Sequence, residues 1–127
     1  MGAPPPCTPR VDAHMNDTYL AELKGLLDRA MPRVASTDRL SFKGVFGAVG
    51  GYVDGNIFVS CGEFGVALRL PPTTLDVVFR EEGVKHLRYF PKGHIKKEYA
   101  VLPTRILEDD VLLIKLVDES VRYASGG

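Results

Sequence analysis

The stretch VFGAVGGYVDGNIFVSCGEFGVALRL, residues 45–70, sets six glycines among alternating apolar residues and carries a single arginine. A phosphate-binding loop would need those glycines between a strand and the start of a helix. Here Asp54-Gly55 instead reads as a two-residue type I′ hairpin turn. It sets Val53 opposite Asn56, Tyr52 opposite Ile57, Gly51 opposite Phe58 and Gly50 opposite Val59. A second turn at Gly62-Glu63, glycine first as type II′ wants, sets Cys61 opposite Phe64, Val59 opposite Val66 and Ile57 opposite Leu68. The two registers agree, and one face of the resulting three-strand meander carries Tyr52, Ile57, Val59, Cys61, Phe64, Val66 and Leu68, an apolar layer for helices to cover. Gly50 and Gly51 mark a bulge, or make room for Phe58 on the neighbouring strand.

Upstream, residues 1–15 hold four prolines and no periodic apolar pattern, which predicts a flexible tail outside the fold. From Asn16 or Asp17, both good N-caps, Leu20, Leu23, Leu27 and Ala30 recur at helical spacing until Pro32. Downstream, Pro71-Pro72 stops the meander, and Thr73 or Thr74 caps a short helix with Leu75, Val78 and Phe79 on one stripe, ended by Gly83. VKHLRYF and IKKEYAVL then alternate around Pro91-Lys92-Gly93 as a hairpin that Pro103 ends. EDDVLLIKLVDESVRYA closes the chain as a helix, with acids in its first turn and Leu113, Leu116, Val117 and Val121 facing inward. The order α-β-β-β-α-β-β-α predicts a single α+β domain over residues 16–125, two layers with helices on an antiparallel sheet.

At 127 residues one modest core is expected. Sixteen Lys plus Arg balance sixteen Asp plus Glu, so no summed field draws the chain to nucleic acid or an anionic membrane. No run of apolar residues is long enough to span a bilayer, and MGAPPPCTPR lacks the apolar centre of a secretory signal, so a cytoplasmic protein is expected. Cys7 and Cys61 form neither a disulfide framework nor a metal spacing, and no cofactor is expected.

VFGAVGGYVDGNIFV, FGVALRL, the helix ending FREEG, YFPKG and EYAVLPTRILEDD together resemble the N-terminal domain of the TfoX (Sxy) proteins, regulators of competence for DNA uptake. The likeness spans about residues 20 to 124. Its most specific pieces are Phe46-Gly47 followed by Gly51-Tyr52-Val53-Asp54-Gly55, and the spacing of Tyr99, Val101 and Pro103. The resemblance implies a stand-alone N-terminal domain with a regulatory association and no catalytic residues to carry over. Val45 stands where the family usually has Met, and Arg69 where it usually has Lys.

Four constellations invite a functional reading. Val49, Val53, Phe58 and Ala67 fall on the other face of the meander with Arg69 at its rim, a face too apolar for solvent. It is expected to bind a protein partner or a second copy of the chain, unless a loop or helix covers it. KHLRYFPKGHIKK, residues 85–97, has no acid; Lys85, Arg88, Lys92, Lys96 and Lys97 interleave with Tyr89 and Phe90, a pattern that fits a nucleic-acid contact or a lysine-protected sheet edge in which Leu87, Tyr89 and Ile95 point to the core. Cys61 with His86 or His94 is the one thiol-enzyme arrangement available, set against an inert core thiol. Glu108, Asp109 and Asp110 read as a helix-start cluster rather than a metal site. The leading expectation is a non-enzymatic interaction domain acting through its sheet.

Overall fold

The computed structural model describes residues 10–11, 16–30, 39–90 and 92–126. Along the chain run β1 (Arg10–Val11), α1 (Asp17–Ala30), β2 (Leu40–Val45), β3 (Ala48–Val53), β4 (Asn56–Gly62), β5 (Gly65–Arg69), α2 (Pro72–Val78), β6 (Lys85–Leu87), β7 (Lys96–Leu102), α3 (Thr104–Leu107) and α4 (Asp110–Ala124). Among the described residues they form one seven-stranded sheet in the order β1-β2-β3-β4-β5-β7-β6. It is antiparallel apart from β1, which joins β2 in parallel. The α+β class is as expected, with a further strand, β2, lengthening the meander to four. Arg10 and Val11 pair with Ser41 and Phe42; the rest of the segment expected to be a flexible tail, residues 1–9 and 12–15, lies outside the described residues.

Local chemistry explains the elements. Asn16 caps α1, its side-chain oxygen accepting from the N–H groups of Thr18 and Tyr19 at 2.9 and 3.1 Å. Helix α2 starts earlier than Thr73: Pro71 is its N-cap and Pro72 takes the first turn, where a missing N–H costs nothing. Asp109 caps α4, accepting from Leu112 N–H, so the acids there begin a helix as expected. Asp54 and Gly55 both take positive φ, as the I′ turn requires. Arg39 donates to both carboxylate oxygens of Asp54 and ties the start of β2 to that turn; this contact holds the Asp54 carboxyl below its ordinary range.

The register departs from expectation at two places. Between β3 and β4 the pairing shifts after Tyr52↔Ile57, so that Gly51 meets Val59 and Val49 meets Cys61, and Phe58 is the extra residue of a β-bulge. The β4–β5 turn is Glu63-Phe64 rather than Gly62-Glu63, since Gly62 pairs with Gly65 and Val59 with Leu68. A bulge reverses which residues face which layer. Val59, Cys61, Val66 and Leu68 do face the helices, joined by Val49, Val53 and Phe58, while Ile57 and Phe64 pack in a second cluster with Ala67, Leu87, Tyr89, Tyr99 and Val101. Gly51 makes this possible: a Cβ there would lie 2.6 Å from Val59 Cγ1 and 3.6 Å from the Phe58 ring. The bulge expected beside the paired glycines is present, and the space that Gly51 leaves is taken by Val59 rather than Phe58.

The bulge frees the Phe58 carbonyl inside the core. Ser120 of α4, itself buried, sets its hydroxyl 2.7 Å from that oxygen and 2.6 Å from the Arg69 carbonyl oxygen, so that its single proton is shared between the two acceptors. Helix α4 is thereby locked in register across β4 and β5 as Leu113, Leu116 and Val117 seal the core.

Candidate functional site

Among the described residues large apolar side chains are exposed on both layers: Val77, Val111 and Ile114 on the helices, and Phe46, Phe90 and Ile95 in the turns and loop beside the opposite face of the sheet. Val49, Val53 and Phe58, expected there, are instead 0% exposed under the helices; the bulge at Phe58 turned them inward. Arg69 is already engaged: its Nε lies 3.3 Å from Glu98 Oε2, and its guanidinium lies over the Tyr123 ring, 5.1 Å from the centroid. Ala67 does belong to the outer cluster.

That cluster is partly roofed by the β6–β7 loop. Tyr89 donates its hydroxyl to buried Ser60 at 3.1 Å and sets its ring edge-on to Phe64, 5.6 Å between centroids. Burial raises the Tyr89 phenol, opposed by the Ser60 bond, and burial raises Tyr99 further. Beyond Tyr89 the roof stops. Phe46 is 63% exposed and Phe90 53%, and Ile95, expected in the core, is also exposed. The Phe46 ring joins the other two, its centroid lying 5.3 Å from that of Tyr89 and 5.5 Å from that of Phe90. With Gly93, His94 and Lys96 they line a cleft of about 200 Å³.

Phe46 reaches this place at a cost. With Gly47 it forms the β2–β3 turn, at φ +48°, in the left-handed region where a Cβ is crowded. Asn or Asp would be at ease there; a phenylalanine is not. Neither Phe46 nor His94 stood out in the sequence as an outer-face residue. The signal was the X-Gly pair between two alternating runs, LSFKGV and AVGGYV, masked because phenylalanine is a poor turn residue.

The five basic residues are all exposed: Lys85 in β6, Lys96 and Lys97 at the start of β7, Arg88 and Lys92 between them. Among the described residues each ion pair is made by an arginine outside this segment. The histidines are not brought to Cys61. His86 stacks on Phe79 at 4.5 Å, and His94 lines the outer cleft, whereas Cys61 is buried on the helix side.

Burial, then the nearby Glu22 carboxylate, pushes the Cys61 thiol up to about 12. At pH 8 its thiolate is then scarcer than that of an ordinary cysteine by about three orders of magnitude. In the Cys7→Ser chain, iodoacetamide is expected to label Cys61 only as fast as the fold opens, with denaturant accelerating the reaction; prompt native labelling of Cys61 would contradict this. Because the folded thiol is raised, its contribution to stability is intact below the unfolded value of about 8.5. It declines as pH climbs from there through about 12.

Among the described residues no helix is long and apolar enough to cross a membrane. Residues 33–124 match the family model of the TfoX N-terminal domain. The match begins after α1, which the resemblance had in part included. No curated protein matches the sequence.

Proposed function

The chain belongs to the TfoX N-terminal domain family, and on that footing we propose that it is a non-enzymatic regulatory domain that docks a protein on the outer face of its sheet. The observation that carries this reading is Phe46. A bulky ring held in a left-handed turn and left mostly exposed gains little for folding, and strain of this kind is characteristic of sites that meet a partner. Phe90 extends the same surface, and aromatic side chains of this sort dominate protein interfaces. The buried, high-pKa Cys61 supports an interaction role over thiol chemistry. The resemblance to competence regulators supports a regulatory setting. The occupant is a partner protein or a second copy of the chain.

Benzoylphenylalanine placed at position 46, 90 or 114 in the cell that makes the protein tests this. Ile114 is also an exposed apolar residue, on α4 of the opposite layer, and serves as the control. Protein adducts are expected from positions 46 and 90 and not from 114. Adducts from 114 alone would move the docking surface to the helices and end the proposal.

A further inference from the structure

We propose that the cleft between Phe46, Tyr89 and Phe90 receives an acidic peptide segment carrying one aromatic or branched aliphatic anchor residue, an inference that rests on the outer-face docking reading. The cleft's volume, about 200 Å³, lies below the roughly 300–1,000 Å³ of sites for drug-sized ligands. It is sized for a single large side chain. Three rings wall it, and the Gly93 backbone lies close against Phe90, where a Cβ would come within 3.2 Å of the Phe90 carbonyl oxygen. Anchor-and-pocket pairs of this kind concentrate the affinity of protein interfaces.

Charge at the rim names the flanking residues. Five of the sixteen Lys and Arg residues, and none of the sixteen acids, fall within residues 85–97. His94 and Lys96 are at the cleft itself. The five cations are exposed, and among the described residues none shares an ion pair. An acidic partner segment would complement them and gain on-rate as well as orientation. A single-stranded nucleic acid offers the same sign of charge, but stacking needs open ring faces. Here Phe46 meets Tyr89 tilted at 57° and Phe90 edge-on at 65°, and Tyr89 is itself met edge-on by Phe64 at 88°, so neighbouring rings already occupy one another. The balanced chain also lacks the surplus field that gathers phosphates.

The test is selection of random short peptides on the full chain, followed by anisotropy titration of the most enriched one. The expected winners are net negative with one central aromatic, leucine, isoleucine or valine. Phe46→Asn is expected to weaken them about tenfold or more, as is replacing the peptide's anchor with alanine. Lys96→Glu with Lys97→Glu, remote from the core, is expected to weaken them several-fold, and so is raising the salt concentration. Circular dichroism confirms that each variant is folded. Winners that are basic or neutral, winners indifferent to Phe46→Asn, no winners at all, or tighter binding of a labelled oligo-dT strand would each overturn the inference. Adducts from position 46 alongside such a failure would leave docking standing and remove only the acidic segment; absence of adducts would remove docking itself.

Discussion

Phe58→Ala is expected to lower the free energy of unfolding by about 3–5 kcal/mol, the range for emptying an aromatic site in a packed core. Phe58 is 0% exposed and sits at the bulge, where its ring passes close to Gly51 beneath the helix layer. Two features oppose collapse into the cavity. The bulged backbone is fixed by the Ser120 hydroxyl on the Phe58 carbonyl, and Gly51 has no side chain to swing into the space. Urea unfolding followed by circular dichroism measures the loss. A change below about 1 kcal/mol is typical of an exposed position and would place the ring outside the core, with the bulge misassigned.

Ser120→Ala removes one oxygen and is expected to cost about 2–3 kcal/mol, toward the upper end for a buried acceptor left without its donor. Two carbonyls lose their contact with one hydroxyl: that of Phe58, freed from the ladder by the bulge, and that of Arg69 at the end of β5. Water has poor access, since Ser120 is wholly buried. The same urea titration serves, and Ser120→Thr, which keeps the hydroxyl, is expected to lose less than Ser120→Ala. Equal losses in the two variants would show that packing, rather than the hydroxyl, matters there.

Elements with local chemical signals were legible in the sequence. Asn16, the leucines of α1, Asp54-Gly55, Pro71-Pro72 and the acids before α4 announce caps, stripes and turns that the structure keeps. Strand β2 went unread because its turn is built on Phe46-Gly47, and phenylalanine does not advertise a left-handed position. Facing was lost at one residue. Alternation assigns every side chain by parity, so the single extra residue at Phe58 moved Ile57 to the outer face and brought Val49, Val53 and Phe58 itself inward. A bulge is chosen by what packs beyond the strand, here Leu23 of α1 and Ser120 of α4, and neither neighbours it in sequence.

The idea of an apolar outer face therefore stands on other residues than those first read for it. Tyr89, Phe64 and Ile57 are largely used by the fold, and what remains open gathers at Phe46 and Phe90. The basic segment that reads as a sheet edge in the sequence also borders this opening, so charge and apolar surface meet in one place.

The unfolding free energy of Phe46→Asn against wild type tests the central claim most directly. Asparagine is at home at positive φ, and relief of about 1–2 kcal/mol of left-handed strain offsets two ring contacts of about 0.5–1.5 kcal/mol each. The expected result is a stability within about 1 kcal/mol of wild type. A loss of about 3 kcal/mol or more, the size a core phenylalanine commands, would show that Phe46 holds the fold together and would take away the reason to see a docking surface there.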